Sequence, residues 1–363
     1  MNTIKKKISD LCDKGTSSLA KKDLLGKSGP YPVYGADGMV GKVDFFQQDK
    51  KYIAIIKDGA GVGRVYRFDE KTSILGTMQY ILPKDSIDYS FLYYALKSIS
   101  YDKYIKGATI PHIYFKDYSC EEIPLPAMEK QKKIAARLDA VSDLLAKQKQ
   151  LLSEQDNLIQ STFYDMFGDH QLSQQKGQWN KISDVAVVAG GSTPKTQTPE
   201  YWDGDLNWFT PAELENCSWY VYSSQRKITK AGVKSCHLEE FPINTVLLSS
   251  RAPIGKLAIA RETFYCNQGF KNIICGETVN PIYLYHLLMY NINYMKSLGK
   301  GATFKEISKK IVEDIKIPVP PLELQEKFAA IVEQIESEKS KIKSAIAETQ
   351  TLFNALMSEY FEE

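Results

Sequence analysis

Histidine is scarce in this 363-residue chain, with four copies, and none of the six cysteines (Cys12, Cys120, Cys217, Cys236, Cys266 and Cys275) belongs to a C-x-x-C pair. That removes the usual spacing of a zinc site, and the adjacent Cys236-His237 points two ligands in different directions. Such scattered thiols are expected to stay reduced, as in a cytoplasmic protein. No run of about 18 apolar residues exists, which excludes a membrane-spanning helix. The Lys- and Gly-rich first forty residues lack the apolar core of a signal peptide. The phosphate-cradling G-x-x-x-x-G-K-[ST] pattern is absent as well, "GKGAT" at 299–303 not being one.

Charge of one sign is not in excess: the formal net charge is +2, a total that can still hide a basic face. Hydrophobic residues at 43% and charged residues at 25% are the proportions of a globular protein. The length fits two domains with connectors.

What is present is a repeat. "IPLPAMEKQKKIAA" (Ile123–Ala136) returns 194 residues later as "IPVPPLELQEKFAA" (Ile317–Ala330), and "GAT" at Gly107–Thr109 returns with the same offset at Gly301–Thr303. After each copy the apolar residues step by three and four. The first set reads Leu138, Val141, Leu145, Gln148, Leu152, Gln155, Ile159, Thr162 and Met166. The second reads Phe328, Val332, Ile335, Lys339, Ile342, Ile346, Thr349, Phe353, Leu356 and Tyr360. This period predicts two helices of about 40 residues, each about 60 Å long. A narrow apolar stripe on so long a helix needs a partner. The simplest partner is the sibling helix, paired antiparallel; a coiled coil between chains is the alternative. Gln148, Gln155 and Lys339 then set the register. Pro124, Pro126, Pro318, Pro320 and Pro321 mark where each globular part ends and each helix begins.

The expected organisation is therefore a globular part at 1–122, a helix and linker at 123–177, a second globular part at 178–316 and a second helix at 317–363. The fold class is mixed α/β: two pseudo-twofold-related heads held apart by an intramolecular pair of helices. "YIAII" (Tyr52–Ile56) and "TVLLS" (Thr245–Ser249) read as strands, each running into a glycine turn. Ser90–Ile99 and Ile282–Ile292 read as helices at matching places. The openings match too, "KKISDLCDKGTS" from Lys6 against "NKISDVAVVAGGSTP" from Asn180.

Catalytic patterns fall away on inspection. "DGAGVGR" (Asp58–Arg64) is spaced G-x-G-x-G and runs into the strand-like "VYRF", so a tight hairpin is expected, not a dinucleotide site. "NPIY" (Asn280–Tyr283) is similar to the Asn-Pro-Pro-Tyr of amino-methyltransferases. It reads more simply as a helix start, with Asn280 as cap and Pro281 in the first turn. "VEDIK" (Val312–Lys316) ends like a nuclease motif but has no Pro-Asp to complete it. No catalytic residue, metal ligand or bound cofactor is expected in this chain.

The loops carry what DNA recognition needs: cations for phosphates, and amides, hydroxyls and rings for base edges. Head one offers Lys21, Lys22, Lys27, Tyr31, Tyr34, Lys57, Arg64, Lys106, Thr109 and His112. Head two offers Ser192, Thr193, Lys195, Thr196, Gln225, Arg226, Lys227, Arg251, Lys256, Lys300, Thr303 and Lys305. Each taken alone is a solvated loop residue; their recurrence at matching places points to binding.

With these residues in view, the chain resembles the specificity subunits of type I restriction–modification enzymes over nearly its full length. The carriers are the repeated G-A-T…I-P-x-P-x-x-E-x-Q, the two long helices and "GGSTPKT…YWDGDLNWFTPAEL". Head one departs from the pattern, opening with "GTSSLAKKD". The resemblance implies two target-recognition domains, each reading half of a bipartite asymmetric site in double-stranded DNA, with spacer helices between them. It implies a non-catalytic scaffold for two modification (methyltransferase) subunits and two restriction/translocation subunits. S-adenosylmethionine, ATP and Mg2+ would be used by those partners, in the cytoplasm and away from any membrane. A coiled-coil adaptor without nucleic acid, or a self-sufficient methyltransferase, are the other readings.

Overall fold

The computed structural model describes residues 4–174, 179–215, 219–251, 253–300 and 305–362. The chain folds as two units, Met1–Leu152 with Lys341–Glu363, and Ser153–Ser340. The expected globular parts, 1–122 and 178–316, fall one in each unit, and each unit also holds a portion of both long helices.

In the first unit a four-stranded antiparallel sheet runs in the order Cys12–Thr16, Met78–Pro83, Tyr52–Ile56, Val65–Phe68. All five residues of the Tyr52–Ile56 strand are buried, because the strand is central and covered on both faces. Its alternation sends Ile53 and Ile55 toward the helix Tyr89–Lys97 and Tyr52, Ala54 and Ile56 into a separate cluster. The second unit repeats the order with Ala186–Ala189, Asn272–Cys275, Val246–Leu248 and Leu257–Ala260, adding Tyr220–Val221 at the edge. There Val246 and Leu248 enter one core and Leu247 another. The helix Pro281–Tyr290 starts as its sequence dictates. Pro281 occupies the first turn and Asn280 Oδ1 accepts the N–H of Ile282 at 2.9 Å.

The proline motif is an exit strand. Glu122–Leu125 pairs antiparallel with Ile4–Lys7, and Lys316–Ile317 with Asn180–Lys181. Each head is thus closed by its own two ends. Beyond the prolines run the helices Met128–Phe167 and Leu322–Phe361, 40 residues each.

Within each unit the two helices pack antiparallel. In the first, Leu138, Val141 and Leu145 share a core with Ile346 and Phe353, and Arg137 Nη1 donates to the Tyr360 hydroxyl at 3.1 Å. In the second, Ile159 shares a core with Val332 and Ile335, and Phe163 meets Phe328 at 5.4 Å between ring centroids. Leu152 and Ile342 are half-buried. Lys339 is buried and salt-bridges Asp156 at 2.6 Å and Glu336, while Gln148 and Gln155 are half-buried. Past Ile159 the buried face drifts from the expected Thr162 and Met166 to Phe163 and Phe167. The helix there packs against the head as well as its sibling. A 3.6-residue turn with a wider apolar stripe therefore replaces the 3.5-residue seam.

Candidate nucleic-acid interface

The "DGAG" turn of the first unit links the strands Tyr52–Ile56 and Val65–Phe68, and Gly59 and Gly63 take φ of 97° and 87° there. The "GATIPH" loop, some fifty residues further along, is fastened to it. Gly59 N donates to Pro111 O at 2.8 Å and Ile113 N to Lys57 O at 2.9 Å. Lys106 and His112 exchange two main-chain hydrogen bonds, both 2.8 Å, closing the loop into a small hairpin. Gly107 has φ 88°, and a Cβ there would stand 2.5 Å from Ile110 O, so this corner requires glycine. The tip is exposed, with Thr109 in water and Ile110 63% accessible.

Side chains follow this frame. Lys106 pairs with Asp117 at 2.7 Å, and the His112 ring lies 5.0 Å from that of Tyr114. Lys57 is paired with its neighbour Asp58. Arg64 is exposed on the rim of a cavity of about 720 Å³ that also takes in Lys21, Asp37 and Asp58. Lys22 is exposed in the same turn as Lys21. The Lys27 amine sits 5.1 Å over the Phe45 ring and Tyr31 packs edge-on against Phe46. Tyr34 packs on Phe68 at 4.6 Å, inside the apolar cluster.

The second unit rebuilds the same fastening. Lys300 and Glu306 exchange two main-chain bonds of 3.0 Å, and Ile307 N donates to Ser250 O at 2.9 Å. The Lys300–Glu306 pair is thereby tied to the segment carrying Arg251 and Gly255 (φ 95°). Arg251 lies 3.7 Å from the Glu306 carboxylate, which Lys271 also approaches, at 3.4 Å. Lys305 is exposed, and Thr303 lies outside the described residues. Lys256 is turned inward, its Nζ donating to Pro211 O at 2.8 Å.

A second surface stands on two indoles. Trp202 and Trp208 meet edge-on at 4.9 Å. Trp208 Nε1 donates to Ser192 O at 3.1 Å and Trp202 Nε1 to Lys195 O at 3.2 Å, so both hold the "STPKT" segment. Lys195 and Thr196 are exposed on it. The exposed Arg226 guanidinium stacks on Trp202, 3.6 Å from the ring centre. Beside it, exposed Gln225 is held by its N–H to Glu213 Oε2 at 2.7 Å, and Lys227 Nζ donates to Asn207 Oδ1 at 2.6 Å. The Gln268-Gly269 step joins this surface to the Arg251 turn. Thr193 Oγ1 meets Gln268 Oε1 at 2.6 Å and Ser250 N donates to Gly269 O at 2.7 Å.

Sequence reasoning did not single out Trp202 and Trp208 as supports, nor Arg67 and Arg261. The last two stand 194 residues apart, Arg67 in the Val65–Phe68 strand and Arg261 just past the Leu257–Ala260 strand, so the repeat offset applied to every charged residue would have found them.

A family model described as "Type I restriction modification DNA specificity domain" matches residues 2–154 and again 176–349. The chain belongs to that family, with the two-domain organisation of a type I specificity subunit. The MjaIX specificity subunit of Methanocaldococcus jannaschii is 44% identical over 155 residues, 42% of this chain and 36% of that one. The EcoR124I/EcoR124II specificity subunit of Escherichia coli is 24% identical over 235 residues, 62% of this chain and 58% of that one. The matches thus span between about a third and three fifths of those relatives. The crystal structure of a type I restriction–modification S subunit from M. genitalium shares the fold, with a TM-score of 0.65 at 20% identity, over 99% of this chain and 96% of that one. No helix among the described residues is long and apolar enough to cross a membrane.

Proposed function

We propose that this chain reads DNA for a type I restriction–modification complex and contributes no catalytic group of its own. Each globular unit takes one half of a bipartite target in double-stranded DNA, and the two long helices set the distance between half-sites. The observation that carries this reading is a fastening built twice: Lys57 and Gly59 bonded to Ile113 and Pro111 beside the Lys106–His112 pair, and Ser250 bonded to Ile307 beside the Lys300–Glu306 pair. It brings basic side chains from distant stretches of sequence together, with Arg64 and Lys305 exposed among them, as contacts to phosphates require.

The chemistry is assigned to partner subunits in the cytoplasm: N6-adenine methylation from S-adenosylmethionine by two modification subunits, and ATP- and Mg2+-dependent translocation and cleavage by two restriction subunits. The first long helix offers a place for such partners. Leu144, Leu151 and Leu158 are 46%, 43% and 48% exposed, and their seven-residue spacing is what a partner helix uses.

The test is to map N6-methyladenine in cells that carry a type I modification subunit with and without this chain. An asymmetric two-part motif that appears only with the chain supports the reading. A motif independent of the chain, or one with a single part, refutes it.

A further inference from the structure

One interaction between head and helix is built twice, from the same positions and with different supports. In the first unit Arg67 Nη1 donates to Asp139 Oδ1 of the first long helix at 2.7 Å, and the Tyr94 hydroxyl donates to that same oxygen at 2.7 Å. In the second, Arg261 Nη2 donates to Glu333 Oε1 of the second long helix at 2.8 Å, and the Tyr220 hydroxyl donates to that oxygen at 3.1 Å. The arginines and the acids are each 194 residues apart. Each guanidinium lies over a tyrosine ring, at 4.5 Å on Tyr93 and 3.8 Å on Tyr220. The tyrosines do not follow the repeat. Tyr94 comes from the helix Tyr89–Lys97, whereas Tyr220 comes from the edge strand Tyr220–Val221. The acid also changes length, from Asp to Glu. The arginine and the acid thus keep their repeat positions, while the supporting tyrosine comes from a different element in each head.

Such an arrangement does little for stability. The arginines are 29% and 32% exposed and their acids 32% and 49%, and pairs open to water contribute little to folding. Its geometry does more. A planar guanidinium stacked on a ring and bonded to one carboxylate oxygen fixes the strand's angle to the helix as a flexible ammonium would not.

We propose that Arg67–Asp139 and Arg261–Glu333 are positioning residues that hold each recognition head at a fixed angle on its spacer helix, and so make the complex selective for one half-site spacing. This rests on the DNA-reading function proposed above. Asp139→Asn and Glu333→Gln, singly and together, are placed in the full chain assembled with its modification subunits. Methylation rates are then compared on duplexes with the native spacer, with one base pair added or removed, and with one wrong base in a half-site.

The double variant is expected to lose tenfold or more of the preference for native spacing. Discrimination against the wrong base should change less than twofold, with a melting temperature within about 2 °C of the parent. Asp139→Glu, which installs the acid used by the other head, restores spacing selectivity. Unchanged spacing preference in the double variant overturns the proposal. A second readout does not depend on DNA: the distance distribution between spin labels on unnatural residues at Lys50 and Lys132, both exposed. It should broaden in Asp139→Asn, and a distribution as narrow as the parent's overturns the proposal. If the parent chain directs no spacing-dependent methylation, the DNA-reading function falls, and the label distances alone decide whether the head is strapped to its helix.

Discussion

Gln325 Oε1 accepts a hydrogen bond from the main-chain N–H of Asn280 at 2.8 Å, across 45 residues of sequence. Its amide donates to Thr278 O at 3.0 Å and to Pro320 O at 2.7 Å, and the side chain is fully buried. One glutamine thus fastens the start of the second long helix to the cap of the head's helix. Gln131 does the same 194 residues earlier, with Asp88 N and Pro126 O both at 2.8 Å. Gln325→Leu leaves one partly buried main-chain N–H and two carbonyls without this partner, so a loss of about 1–2 kcal/mol is expected. Urea denaturation measures it, and Gln131→Leu should cost a similar amount.

His286 gives the protein an acid-side limit. It lies among Trp219, Tyr285, Tyr290 and Phe328, and neither ring nitrogen has a hydrogen-bond partner among the described residues. Burial, with the nearby Lys339 ammonium adding to it, pushes its pKa down to about 3 from 6.5. The folded state therefore refuses a proton that the unfolded chain takes up below pH 6.5. Stability is complete above that value and falls as pH drops toward 3, by about 1.4 kcal/mol per pH unit. Between pH 6.5 and 5 the loss is about 2 kcal/mol. His286→Phe should flatten that part of the stability curve, as denaturation midpoints at successive pH values will show.

The elements with strong local signals were legible in the sequence. The Tyr52–Ile56 strand, the Asn280 cap and the two long helices follow from apolar runs, capping chemistry and period, all of which act within a few residues. The role of Gln131 and Gln325 was not legible, although both sit inside the repeated motif, because their partners are 43 and 45 residues away. The loops were half legible. Glycine and lysine marked "DGAGVGR" and "GAT" separately, and only long-range main-chain bonds such as Gly59 to Pro111 and Ile113 to Lys57 unite them. Nor could composition separate the stacked Arg226 from the inward-facing Lys256.

Those two residues predict opposite phenotypes. Arg226 is exposed on the Trp202 face, and Arg226→Ala should weaken DNA binding and lower the slope of log K against log salt by about one. Unfolding should hardly change. Lys256 is bonded to Pro211 O, so Lys256→Met should cost about 1–2 kcal/mol of stability and leave the salt slope intact in the protein that stays folded. A salt titration and a melting curve on both variants separate the roles. A reduced slope for Lys256→Met alone would reverse the assignment.

Helix length is the final variable. If the paired helices act as a spacer, its length is set by residue count at 1.5 Å each. Removing one heptad from both helices then takes away about 10 Å. On B-DNA at about 3.4 Å per base pair that is about three base pairs of spacing. Seven residues come to nearly two helical turns, so the buried faces keep their phase and Leu138 and Phe353 still point into their core. The heads are untouched, and the bases they read should not change. Mapping N6-methyladenine for the shortened chain is expected to return the same two half-sites with about three fewer base pairs between them. A motif with its original gap would mean that spacing is fixed by something other than the helices.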